Sequence, residues 1–154
     1  MNTLTFLLII HIIAGSFCLL TGAINFSVKK EKGYHTRIGE LYHIGYFVVF
    51  ITSVWMAIIN WSESAYLFYI AVFSYGLALF GYLARKRRWR GWLSMHIGGM
   101  AGSYIGIITA VLVVNGADIP LINQIPFLLL WFIPTIIGTP IIFMVSKRYR
   151  TYTK

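Results

Sequence analysis

Apolar residues fill five long segments of this chain, and short polar segments separate them. The apolar segments are residues 3–26, 38–60, 65–84, 92–115 and 125–146. A helix needs about twenty predominantly apolar residues to cross the hydrocarbon core of a bilayer, and each segment approaches or exceeds that length with few or no charges inside. The pattern predicts an all-α integral membrane helix bundle with five transmembrane helices, formed as a single transmembrane domain over residues 1–154.

The composition agrees with a membrane protein. Hydrophobic residues make up 58% of the chain, charged residues 11%, and the mean hydropathy is +0.76, well above that of an ordinary soluble domain. Cys18 is the single cysteine. The chain therefore has no internal disulfide, no two-cysteine haem attachment and no iron–sulfur cluster held by four local thiolates.

The basic residues are distributed unevenly among the links between spans. All thirteen lie in the first link, the third link and the tail. Lys and Arg in short loops are retained on the cytoplasmic side, so we expect a multi-pass protein of the cell membrane with its N-terminus outside and its C-terminus in the cytoplasm. The net charge of +9 then reflects topology and the lipid bilayer, and we do not interpret it as nucleic-acid binding. The residues are Lys29, Lys30, Lys32 and Arg37; Arg85, Lys86, Arg87, Arg88 and Arg90; and Lys147, Arg148, Arg150 and Lys154.

Small and polar residues form a stripe along the first span and another along the fourth. Their spacing of three and four residues places each stripe on one helix face. Small residues let helices approach closely in lipid, so we expect these two spans to face most strongly into the bundle, each with a histidine at the contact. The stripes are His11, Gly15, Cys18, Gly22 and Asn25 in the first span, and His96, Gly99, Ser103, Gly106 and Ala110 in the fourth.

An arginine followed six residues later by His-Ile-Gly occurs twice, as Arg37 with His43 and as Arg90 with His96. Both segments open a span that enters from the predicted cytoplasmic side. The duplication suggests that spans one and two are a parallel repeat of spans three and four. Two equivalent helices of this kind present two imidazoles to one central group. A haem b fits that role, with His43 and His96 as axial ligands and the arginines paired with its propionates.

A divalent metal ion (zinc, iron or copper) is the other candidate for the central group. Glu40 precedes His43 by three residues, which places both side chains on one helix face. His35 lies just before the span, and His11 enters from the opposite leaflet. The candidate metal ligands are therefore His11, His35, His43, His96 and Glu40.

Three segments resemble a bacterial multi-spanning membrane family described as domain of unknown function 2306. They are HIIAGSFCLLTGAINF, KGYHTRIGELYH and WLSMHIGGMAGSYIGIITAVLVVN, and the family's arginine after the second histidine is displaced here from Thr36 to Arg37. The resemblance implies that His11, His35 and His96 are the family's polar positions, which suits a metal ion better than a six-coordinate haem. It implies no activity. The matching positions are His11, Gly15, Lys32, Gly33, His35, Gly39, Tyr42, His96, Met100, Ser103 and Tyr104.

The sequence thus predicts a membrane protein with a histidine-lined metal or haem site in the cytoplasmic half of the bundle. A redox reaction is one function that such a site could have. Ionisable residues in spans are costly to bury and are commonly functional. One alternative is a small transporter or accessory subunit whose histidines contact protons or substrate. Another is a subunit that packs on a second copy or a larger membrane complex, with histidines of purely structural role. Hydrolase and nucleotide-binding motifs are absent from the sequence.

Overall fold

The computed structural model describes residues 2–151, with side chains through residue 149, so Lys154 and the Arg150 side chain lie outside the described part. The predicted all-α fold is confirmed, since the described residues form five helices long and apolar enough to cross a membrane, with mean hydropathy from 1.7 to 2.3. The helices are α1 (Thr3–Ser27), α2 (Tyr34–Ile59), α3 (Trp61–Arg87), α4 (Trp92–Asn115) and α5 (Phe127–Thr151).

The link between the second and third spans is shorter than the apolar pattern predicts. Asn60 alone separates α2 from α3: its N–H donates to Met56 of α2, while its carbonyl accepts from the backbone N–H of Ser64 at 3.0 Å. The polar residues after Asn60 are therefore the first turn of α3. Glu63 in that turn places a negative charge at the positive end of the helix dipole.

The helices form two compact units that divide between Tyr75 and Gly76, inside α3. The first unit contains α1, α2 and the first half of α3, with α1 packed along α2. The second unit contains the rest of α3 with α4 and α5, and α4 packs along α5. Two short 3₁₀ turns, Gly116–Asp118 and Ile122–Gln124, connect α4 to α5.

In the first unit, α1 and α2 meet where a cysteine faces a glycine. Cys18 is fully buried, and its Sγ donates to the Tyr42 carbonyl at 3.6 Å. A Cβ added at Gly45 would lie 2.9 Å from that sulfur and 3.0 Å from the Phe17 ring. The glycine therefore provides the space that the Cys18 side chain occupies.

In the second unit, α3 and α4 approach each other more closely, at Gly81 and Gly99. A Cβ on Gly99 would lie 2.6 Å from the Leu77 carbonyl oxygen and 2.7 Å from the Cα of Gly81. A Cβ on Gly81 would lie 2.8 Å from the Met100 backbone nitrogen. Backbone meets backbone here, which only residues without side chains allow.

In the first unit, three residues of α1 are buried, against six in α2. The expectation that α1 and α4 face most strongly into the bundle stays a prediction. Within its unit α1 is covered along the stripe that meets α2, and its other faces expose large apolar side chains such as Ile13 and Leu20, each 65% exposed. Those faces suit contact with lipid chains.

Candidate functional site

His96 lies in the second turn of α4 and is fixed to α3. Its Nδ1 lies 2.9 Å from the backbone carbonyl oxygen of Gly81. A carbonyl can only accept a hydrogen bond, so Nδ1 carries the proton and the lone pair of the neutral ring is on Nε2. That Nε2 forms no hydrogen bond within the described part of the chain.

The close approach of α3 and α4 makes this bond possible. Gly81 has no side chain to cover its carbonyl, and Gly99, three residues after His96, brings the two backbones into contact. Residues three apart share a face of a helix. The histidine and the glycine of α4 therefore face α3 together, and the ring is half-buried.

His11 is fixed in a similar way in the first unit, but through a side chain. Its Nδ1 lies 2.9 Å from Thr52 Oγ1 and 3.4 Å from Ser53 Oγ. The Thr52 hydroxyl donates to the Val48 carbonyl of its own helix at 2.8 Å, so its oxygen accepts the proton of His11 Nδ1. The Nε2 of His11 is then the basic atom of the neutral ring.

His43 packs in an aromatic cluster between α2 and the first half of α3. Its ring stacks on Tyr75 with centroids 5.7 Å apart and planes 24° apart. Phe50 stacks on the same tyrosine at 4.7 Å. Tyr46, only 2% exposed, is hydrogen-bonded to the Ser74 side chain. His43 therefore packs against α3 through a ring contact.

Three further candidates lie in the first two turns of α2. His35 and Glu40 are half-buried, and both form contacts within the protein. Arg37 is exposed, and its backbone N–H donates to the Gly33 carbonyl at 2.9 Å. These residues lie at the loop end of the first unit.

The two Arg-x5-His segments differ in local structure. Arg37 and His43 both lie inside α2, where a separation of six residues turns the side chains about 120° apart. Arg90 precedes α4, whose N-cap is Gly91 in the left-handed conformation at φ +75°. The sequence spacing is duplicated, whereas the placement of the arginine is not.

The first unit does not bring His11 beside His43. His11 bonds to Thr52, nine residues after His43 in α2, which corresponds to about 13 Å along the helix axis. Within the described residues, no group of three or more His, Cys, Asp or Glu side chains is arranged to hold a metal ion. His11 is instead hydrogen-bonded to a threonine hydroxyl, and His96 to a backbone carbonyl.

The sequence reasoning missed those partners. Contacts to His11, His43 and His96 come from Thr52, Ser53, Tyr75 and Gly81. The sequence pattern indicated none of these four residues as part of the site. Thr and Ser inside an apolar span are a weak signal for an interhelical hydrogen bond. Gly81 offers no such signal, because its contribution is a backbone carbonyl and the absence of a side chain.

Comparison with known proteins gives no relative from which to transfer a function. No protein-family model, curated protein or solved structure matches the chain. The resemblance to the domain of unknown function 2306 stays a prediction.

Proposed function

We propose that this chain is a histidine-dependent membrane haem protein, oriented in the cell membrane with its N-terminus outside and its C-terminus in the cytoplasm. One observation carries the proposal: His96 Nδ1 donates to the Gly81 carbonyl at 2.9 Å. Histidines that bind iron or other metals commonly donate their second ring N–H to a backbone carbonyl or a carboxylate, which fixes the tautomer and makes the other nitrogen a better ligand. His96 has that arrangement within an apolar helix.

A haem requires fewer protein ligands than a metal ion that is bound by side chains alone. A haem iron needs one or two axial imidazoles from the protein, whereas a bound zinc ion takes three or four protein ligands. Among the described residues, no group of three or more His, Cys, Asp or Glu side chains is arranged to hold a metal ion. His96 would hold the haem iron, and Arg90 would be a candidate partner for a propionate. A redox role in electron transfer follows if the iron cycles between two oxidation states.

The first experiment is an absorption spectrum, oxidised and dithionite-reduced, of protein purified in detergent after production with a haem precursor. We expect a Soret band and sharp reduced α and β bands. His96→Ala should abolish them. His35→Ala is the matched control, because His35 lies at the start of α2, and it should retain the spectrum.

Elemental analysis of the same samples separates haem from a bound metal ion. Colourless protein with near-stoichiometric zinc, iron or copper, lost in both His96→Ala and His35→Ala, would replace the haem by a metal ion. Protein with neither haem nor metal, after both were supplied, would overturn the cofactor proposal.

A second candidate is a small transporter or accessory subunit that uses the histidines to accept protons. The hydrogen bond between His11 Nδ1 and the Thr52 hydroxyl favours it, because it leaves Nε2 of the neutral imidazole as the atom that would accept a proton. Proteoliposomes loaded with a pH-sensitive dye test this. Proton flux lost in His11→Gln and retained in His35→Gln would support it, and absence of flux in the unmodified protein would contradict it.

A further inference from the structure

The turn between α3 and α4 concentrates positive charge. Five of the six residues from 85 to 90 are Arg or Lys, and four of the five are arginines. We call residues 85–92, which also include Trp89 and Trp92, the arginine turn. It lies between two helices that are each apolar enough to cross a membrane.

No acidic residue of the same unit lies near this charge. The second unit has one acid, Asp118, beyond the opposite end of α4, and 24 residues of helix separate it from the turn by about 36 Å. Arg87, Arg88 and Arg90 form no ion pair with the described residues. An anion from outside the chain is the natural partner for these side chains.

The backbone of the turn is held in a conformation that positions Arg88. This residue has φ +52°, a left-handed conformation that is energetically costly for a residue with a side chain. Two backbone hydrogen bonds oppose that cost, from Trp92 N–H to the Trp89 carbonyl at 2.8 Å and from Trp89 N–H to the Ala84 carbonyl at 3.3 Å. The Arg88 guanidinium then lies 4.5 Å from the centre of the Trp92 ring.

A guanidinium held over an aromatic face can still use its N–H groups within its plane. Those donors match two oxygens of a phosphate, a fit that the single ammonium of lysine does not provide. The stacking on Trp92 also reduces the side-chain entropy that binding would otherwise remove. Arg87, exposed beside it, supplies a second guanidinium.

We propose that the arginine turn binds the phosphate of an anionic phospholipid through Arg87 and Arg88. A lipid is the favoured source of the phosphate because the turn connects two membrane-crossing helices, and Trp89 and Trp92 are half-buried aromatic residues of the kind that lie at headgroup level. Anionic headgroups attract basic residues at that depth. The proposal is independent of the histidines and of any cofactor.

The loop between α1 and α2 provides a matched control. It carries Lys29, Lys30 and Lys32, but Lys30 donates to three backbone carbonyls, and lysines do not form the bidentate contact. Replacing Lys29 and Lys32 removes two positive charges from an exposed loop, the same number of charges that is removed by replacing Arg87 and Arg88.

The experiment measures lipid retention by the purified full chain in detergent, using native mass spectrometry with equal amounts of phosphatidylglycerol and phosphatidylcholine. We expect the unmodified protein to retain phosphatidylglycerol at least fivefold over phosphatidylcholine. The R87Q/R88Q variant should lose most of this preference, and the K29Q/K32Q variant should keep it. R87K/R88K, which retains the charge, should lose at least half of the preference.

Three results would overturn the proposal. The first is a preference for phosphatidylglycerol of less than twofold in the unmodified protein, and the second is an equal loss of that preference in R87Q/R88Q and K29Q/K32Q. The third is full retention of the preference in R87K/R88K, which would show that positive charge alone, without the bidentate contact of arginine, is sufficient. Adding inorganic phosphate at tenfold excess distinguishes the sources: displacement of the lipid would identify a general phosphate site and overturn the lipid assignment. If R87Q/R88Q fails to fold by circular dichroism, R87K/R88K and the unmodified protein decide the outcome.

Discussion

The α1/α2 pair and the α3/α4 pair each fix a histidine, but they do so with different parts of the chain. In α1/α2, side chains fill the contact: Cys18 packs against Gly45, and His11 bonds to the Thr52 hydroxyl. In α3/α4, the backbones touch at Gly81 and Gly99, and the acceptor for His96 is a carbonyl. The first contact can adjust by moving side chains, whereas the second has nothing flexible to move.

This difference predicts how the two histidines respond to mutation. A side-chain acceptor can be removed by one substitution, and the helices keep their spacing. A backbone acceptor stays present in every variant and is lost only when the helices separate. His96 should therefore depend on helix packing, and His11 on the identity of one residue.

Gly99→Ala should have the largest effect. Its Cβ would lie 2.6 Å from the Leu77 carbonyl oxygen, so α3 and α4 must separate, which we expect to cost about 2 to 3 kcal/mol. Gly98→Ala is the matched control, since nothing lies within 4 Å of its added Cβ and alanine favours a helix. Unfolding in detergent measures both. Equal stability of the two variants would show that the helix backbones do not touch at Gly99.

Gly45→Ala should destabilise the protein less, by about 1 to 2 kcal/mol. The added Cβ would meet the Cys18 sulfur at 2.9 Å and the Phe17 ring at 3.0 Å, and side chains can shift where backbone cannot. Gly15→Ala, with nothing within 4 Å, is the control. The same unfolding measurement applies, and a cost as large as that of Gly99→Ala would remove the distinction between the two helix pairs.

Thr52→Val should cost about 0.5 to 1 kcal/mol, because it removes the acceptor of His11 and keeps the side-chain shape. Thr52→Ser retains a hydroxyl and should recover most of the loss. Nitrogen NMR of labelled histidine checks the mechanism: the His11 Nδ1 signal should shift in Thr52→Val, and the His96 signal should not. A shift of both signals would contradict independent fixation.

Lys30→Met should have the smallest effect, about 0.5 kcal/mol. α1 has no basic residue in its last turn, and Lys30 supplies the charge from the loop by donating to the carbonyls of Asn25, Phe26 and Val28 at 2.6 to 2.9 Å. Lys29→Met, an exposed neighbour, is the control and should leave stability unchanged in the unfolding assay. Equal losses of stability in the two variants would show that the hydrogen bonds of Lys30 at the end of α1 do not stabilise the protein.

The apolar pattern was sufficient to predict the helices, including the exact bounds of α4 at Trp92–Asn115. The apolar pattern did not predict the polar ends of helices, such as the first turn of α3, because the backbone hydrogen bonds of a helix continue past its apolar residues. The candidate histidines were also visible in the sequence, since ionisable residues stand out in an apolar span. Their partners were not, because a threonine among apolar residues and a glycine in α3 are common in membrane helices.

The sequence by itself determined that five helices form and that two of them carry a histidine on a face of small residues. The reason is local: helix formation and burial in lipid follow from the residues of each segment. Only the tertiary structure decided that His11 meets Thr52 and that His96 meets the Gly81 carbonyl. Those pairings depend on how two helices align along their lengths, and that alignment follows from side-chain and backbone packing between segments distant in the sequence.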